Sequence, residues 1–304
     1  MIRIFLALVF VVAAIPLHAE NSLNDTLVVR IPYMEREAAH RVYADELLRL
    51  ALELSKDKYG PYQIVQQRQE TVIRRQLLEV EAGKNLSLAV SMPTPEWLEK
   101  TQIVQVPIMK GLASYRLFLA SDKNQAMLKN INTLKELKAL TIGQGQGWST
   151  AKILEDNGFN VMHGGPYATL IPMLKANRFE LLMRSIYEVG PELKAYKRTM
   201  PDLTIVNNFG LYTYLPMYFF VSKNQPLLAE RLTYGLHRAH KNGQLNKLFE
   251  SHFTEALKRL RNKQRKTFFL TNTNIDKSFF EQDKPYLLKE IVELEKQSRK
   301  TKSN

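Results

Sequence analysis

Short β-branched runs alternate along this chain with longer segments of helical periodicity. Residues 26–31, Thr-Leu-Val-Val-Arg-Ile, predict a buried strand that ends at Pro32-Tyr33. Over 38–54, Val42, Leu47, Leu48, Ala51 and Leu54 recur at helical spacing, so an amphipathic helix follows. Tyr59-Gly60-Pro61 is a turn signal, 62–66 reads as a strand, 71–82 as a helix stopped by Gly83, and 86–90 as a third strand. A β-α-β-α-β order with short connections predicts a largely parallel sheet flanked by helices.

A second unit repeats the alternation. It has strands over 114–121, 139–142, 160–162, 179–183 and 203–206, and helices over 134–137, 149–157 (closed by Gly158), 167–176 and 189–196. Pro172 should kink the third of these helices. An apolar strand over 218–223 leads to helices over 227–242 and 244–253, broken at Gly243. No Pro/Gly/Ser-rich linker divides the two units, which suits lobes joined by strand crossovers rather than by a flexible tether. Beyond 253, residues 267–270 read as a short strand or a pad against the first unit, 286–297 as a helix, and 298–304 as a disordered end.

The N-terminus changes the picture of where the chain works. Arg3 precedes an apolar run over 4–15, and Pro16-Leu17-His18-Ala19 follows before Glu20. That is the pattern of a secretory leader cut after Ala19. A bilayer span needs about 20 apolar residues, more than this run supplies. Without a cysteine the chain has no disulfide, lipid-anchoring cysteine or thiolate metal site. The net charge of +13 is concentrated late, with thirteen Lys/Arg against six Asp/Glu over 256–304. A basic face can draw anionic partners, but export argues against nucleic acid, and a solvated face needs no partner.

Four segments now carry a resemblance. They are the strand into Pro32-Tyr33, the stretch Leu-Ser-Leu-Ala-Val-Ser-Met-Pro-Thr-Pro-Glu-Trp over 86–97, the strand, glycine-rich turn and helix over 137–158, and 174–188 together with 218–253. In this order they resemble the bacterial extracellular solute-binding proteins of the polar amino-acid receptor superfamily. The resemblance implies an α/β fold of two lobes, each a mostly parallel sheet flanked by helices, joined by a two-strand hinge near 108–112 and 215–218. It implies lobe 1 from 20–111 and 218–304, with 256–304 as a basic extension, and lobe 2 from 112–217. A small ligand would sit between the lobes, and the partner would be an ABC-type transporter. No cofactor or metal is implied, and the protein would be a monomer.

The departures from that family are informative. Its Thr-x-x-Arg arginine grips the ligand carboxylate, and here Thr94 is followed at that spacing by Trp97. Where its members place an Asp for the ligand ammonium, this chain has Ser185, preceded by Arg184. The implied ligand is therefore not a free α-amino acid but something anionic or aromatic, met by Arg184 and by the flat face of Trp97. A surface pair between Arg184 and Glu188 would contribute about 0–1 kcal/mol and leave the arginine free for ligand. Tyr33, Met92 and Thr94, at strand ends, complete the candidate set with Trp148 and Ser149.

Gly143-Gln144-Gly145-Gln146-Gly147-Trp148-Ser149 matches neither a dinucleotide fingerprint nor a P-loop. It is either an anion-facing turn with Ser149 as N-cap, or a plain turn and cap. His237, His240 and His252 read as helix-packing side chains rather than metal ligands. Two alternatives stay open: a sensor or adaptor that signals to a membrane partner, and an enzyme of dehydratase or lyase type. For the latter, Glu35, Glu96 and Glu188 are the acid–base candidates.

Overall fold

The computed structural model describes residues 26–33, 38–165, 167–262 and 264–303. The leader expected over 1–19 and Glu35 lie outside the described residues. The chain opens with β1 (Leu27–Ile31), α1 (Ala39–Glu53), the single turn α2 (Lys56–Tyr59), β2 (Tyr62–Gln66), α3 (Ile73–Ala82), β3 (Leu88–Ser91), α4 (Pro95–Lys100) and β4 (Thr101–Ile103). The β-branched β1 pairs in parallel with β2, Leu27 opposite Tyr62. Its Arg30 N–H donates to Ser87 Oγ, and Ser87 N–H to the Arg30 carbonyl, tying β1 to the start of β3.

The chain then enters the second lobe. It builds β5 (Tyr115–Ser121), α5 (Gln125–Lys129), α6 (Leu134–Lys138), β6 (Thr141–Gly145), α7 (Ser149–Asp156), β7 (Asn160–Gly164), α8 (Leu170–Lys175), β8 (Leu181–Ser185), α9 (Val189–Tyr196), β9 (Leu203–Ile205) and β10 (Phe209–Tyr212). It returns through β11 (Tyr218–Ser222) to α10 (Pro226–Lys241) and α11 (Gln244–Leu260), and closes with β12 (Lys266–Phe269), α12 (Ser278–Asp283) and α13 (Lys289–Ser303).

The sheets are mixed rather than mostly parallel. β6 pairs in parallel with β7 and β8, and β10 with β12. The first strand made after each crossing runs antiparallel to its neighbours: β5 to β8, β9 and β10, and β11 to β3 and β4. The chain reverses on passing between lobes, so each entry strand must point the other way. The two crossing segments run side by side, Val104 N–H bonding the Phe219 carbonyl, Ile108 N–H that of Met217 and Thr213 N–H that of Ser114.

Burial follows the helical spacing. α1 buries Tyr43, Ala44, Leu47, Leu48, Ala51 and Leu52 along one face. α10 lies so close to α1 that a Cβ on Gly235 would come within 2.0 Å of the Ala51 carbonyl oxygen. The fully buried Arg231 of α10 donates to the Leu52 and Gly60 carbonyls and to Ser55 Oγ, which fixes the turn after α1.

Several expectations change. Pro172 falls in the first turn of α8, where a missing N–H disrupts no ladder, so it starts a helix instead of kinking one. β6 continues through Gly143 and Gly145 because aromatic rings lie on the strand. A Cβ on Gly143 would meet the Phe179 ring at 2.3 Å, and one on Gly145 the Trp148 ring at 2.3 Å. Only Gly147, at φ +77°, makes the turn itself. The end of the chain departs most. α13 runs to Ser303 with Ser298 buried, where disorder was expected. Nor does all of 218–304 join lobe 1. β12 extends the second lobe's sheet beside β10, and Glu295 of α13 accepts a hydrogen bond from Tyr212.

This C-terminal segment also covers the crossings. Asp283, fully buried, accepts from Gln105 Nε2 at 3.0 Å and from the hydroxyls of Tyr214 and Tyr218. Leu288 N–H bonds the Lys110 carbonyl, and Asn272 the carbonyl of Tyr214. Gly111 adopts φ +78° with Ile291 where its Cβ would be. His237 and His240 pack their rings on Tyr286 of the same segment, and no metal-ligand cluster occurs among the described residues.

Candidate functional site

Strand ends of both lobes meet beside the crossings. From the first lobe come Met92, just past β3, and His40, at the start of α1. From the second come Trp148 and Ser149 at the head of α7, Arg116 on β5, and Arg184 to Glu192 at the end of β8 and the start of α9. Ser149 Oγ donates to Met92 Sδ at 3.1 Å, so these two candidates touch across the lobes. Ser149 is the first helical residue, and Trp148, not Ser149, holds the N-cap position without a side-chain cap.

Arg184 organises the polar part. Its Nε donates to both Glu192 oxygens at 2.8 and 3.0 Å, and its Nη2 to Glu188 Oε1 at 2.8 Å. Its Cζ lies 4.8 Å from the ring centres of both Trp148 and Tyr167, so the guanidinium is stacked between two aromatic faces. With 8 % of its surface exposed, this is no solvent pair leaving a free cation, as the i,i+4 spacing suggested. It is a buried ion cluster that already satisfies the arginine. Glu188, an acid–base candidate on sequence, uses Oε1 on Arg184 and Oε2 on the Ser185 N–H.

Charge coupling follows from this geometry. Burial alone would lower the Arg184 pKa, but Glu188 and Glu192 outweigh it and hold the group above its ordinary value. Burial raises both carboxyls. For Glu188 the neighbouring Arg184, Arg116 and His40 reverse that and bring it below the usual range, while Glu192 stays above it. Arg116, 3 % exposed, has one long hydrogen bond, Nη1 to the Ala113 carbonyl at 3.4 Å, and its Nε has no hydrogen-bond partner among the described residues.

The remaining candidates separate. Trp97 is 4 % exposed and packs on Phe220, ring centres 5.1 Å apart, in a core cluster with Leu77, Val80 and Leu86. Its indole is therefore a core side chain, not a ligand-stacking face. Thr94 caps α4 by accepting the Trp97 N–H at 3.4 Å. Glu96 sits in the exposed first turn of α4 beside Lys100. Tyr33 is 39 % exposed past the end of β1. Ser185 is fully buried opposite Arg116 in the β5–β8 register.

Sequence reasoning missed His40, Arg116, Tyr167, Tyr187 and Glu192. Arg116 had a signal, a lone charge inside the apolar run Tyr-Arg-Leu-Phe-Leu-Ala. So did Glu192, four residues after Glu188 on one helix face.

His40 packs at a tilt on Tyr187, ring centres 5.5 Å apart, and burial pushes its pKa from 6.5 down to about 4. The folded protein holds it neutral while the unfolded chain takes up a proton below pH 6.5. Stability should therefore drop as pH falls from 6.5 to 4, by ~3 kcal/mol, and level off below. Urea melts of the parent and of His40→Asn across that range check this. Equal acid sensitivity of the two would assign the loss to another group.

No family model matches the chain, and no curated protein is similar to it in sequence. Solved structures are similar in fold. A periplasmic binding protein of Salmonella typhimurium with high arginine specificity is 13 % identical, with a TM-score of 0.54 over 74 % of this chain and 99 % of that one. The amino-acid ABC transporter substrate-binding protein AbpA of Streptococcus pneumoniae, bound to L-arginine, is 16 % identical, with a TM-score of 0.53 over 76 % of this chain and 95 % of that one. An ancestral amino-acid-binding protein described as a precursor of cyclohexadienyl dehydratase is 15 % identical, with a TM-score of 0.51 over 74 % and 95 %. Together with the crossing strands and mixed sheets, these likenesses identify the architecture as the two-lobed fold of the periplasmic amino-acid-binding proteins.

Proposed function

We propose that this protein is an exported receptor that captures a small solute between its lobes and delivers it to an ABC-type importer, acting as a monomer in the periplasm after removal of residues 1–19. The observation that carries the reading is the meeting of polar strand ends from both lobes, Met92 against Ser149 and His40 against Tyr187, beside two antiparallel crossings. Such a junction lets hinge rotation open and close a site. The fold of substrate-binding proteins supports it, as does the leader pattern. Among the described residues no helix is long and apolar enough to cross a membrane.

The ligand is something other than a free α-amino acid. The position of the carboxylate clamp holds Trp97 in the core, that of the ammonium partner holds Ser185, and Arg184 is already neutralised by two carboxylates. Arg116, whose Nε has no hydrogen-bond partner among the described residues, and the Trp148 indole over Arg184 favour a small anion or a flat polar molecule. Thermal-shift screening of the purified protein against amino acids, small anions, sugars and peptides, followed by small-angle scattering, tests the reading. A receptor gains melting temperature with its ligand, leaves it unconsumed and contracts. Turnover of the hit would make the protein an enzyme. A scattering curve unchanged by every stabilising compound would remove hinge capture.

A further inference from the structure

A groove lies beside the strand-end site, between α9 and α11, and shares Tyr187 with it. It encloses about 410 Å³, within the range of small-ligand pockets. Its floor is apolar, formed by Tyr187, Phe253 and Ala256. Lys194, in the last turn of α9, and Arg259, in the last turn of α11, border it. Neither makes an ion pair with any described residue, in a chain where Arg184, Arg238, Arg261 and Arg299 all do. The one carboxylate on the rim, Glu255, is paired with Lys258 at 2.8 Å, and both are well exposed. Gly190 makes room for the Arg259 guanidinium, which a Cβ there would meet at 2.9 Å.

We propose that this groove binds an amphipathic carboxylate, its anionic end between Lys194 and Arg259 and its aromatic or branched body on Tyr187 and Phe253. An apolar floor favours the body. Two cations on one rim, neither in an ion pair with a described residue, favour a single negative charge over a neutral or cationic head, and a guanidinium fits a carboxylate in two-point geometry. α9 belongs to the second lobe and α11 to the first, so the occupant touches both and holds them together. The groove shares Tyr187 with the strand-end site but takes its cations from Lys194 and Arg259, which the receptor reading does not use.

The test uses 4-fluorophenylacetate as the probe, with fluorine NMR of the full protein. Saturable line broadening is expected, competed by phenylacetate and not by phenylacetamide. Lys194→Met and Arg259→Met should each weaken binding about tenfold, as loss of a charge-assisted contact does. Neither side chain is in an ion pair with a described residue, so melting temperatures should stay near that of the parent. Ala256→Phe, which fills the floor, should abolish binding without removing a charge. Equal competition by the amide, unchanged affinity in the Lys194→Met/Arg259→Met double variant, or no saturable broadening up to the probe's solubility limit would each overturn the proposal.

Discussion

Arg184→Ala is expected to lower the free energy of unfolding by ~3–5 kcal/mol, because it leaves Glu188 and Glu192 buried without their counter-charge. The aromatic slot between Trp148 and Tyr167 also loses its filling. Arg184→Met with Glu188→Gln and Glu192→Gln removes the whole cluster and should recover much of that loss, since a buried ion group replaced by matched neutral side chains is often near neutral. Urea unfolding of the single and triple variants reads both effects. A single variant as stable as the parent would show that the carboxylates reach water once released. Any weakening of ligand binding by Arg184→Ala has to be judged against that loss of structure.

Asp283→Ala is expected to cost ~4 kcal/mol. Gln105, Tyr214 and Tyr218 all donate to this one buried carboxyl, and its removal strands three donors around a new void. Burial raises its pKa, partly offset by those three hydrogen bonds. The donors sit on the two crossing segments, so the variant should also loosen the lobes relative to each other. Hydrogen exchange should quicken at Ile108, Thr213 and Leu215, whose N–H groups bond within the crossings. Full retention of stability and protection would mean that the C-terminal segment merely rests on the hinge.

Much of the fold was legible because it rests on period and punctuation. The β-branched run of β1, the helical spacing of α1 and the glycine stop at Gly83 each act locally. The pairing of β12 with β10 was not legible, since a four-residue strand carries no mark of its partner 50 or more positions away. The glycines of β6 misled for a physical reason: they read as a turn, yet their bareness admits Phe179 and Trp148 onto a strand. At the candidate site the spacing hid the partners of the residues it singled out. Arg184 lies over the Trp148 ring, a contact that sequence did not suggest, and a spacing of four cannot reveal that Glu192 closes the cluster as well. Trp97 shows the same limit, because an indole after a strand suits a ligand or a core equally well until Phe220 is seen beneath it.

The position of β12 has a consequence for how the chain matures. The outer edge of β10 has no backbone partner until residues 266–269 exist, so a nascent chain carries an open strand edge until those residues are made. Pairings between segments this distant are slow to form. Synthesis order thus keeps the second lobe's sheet incomplete until β12 has been made.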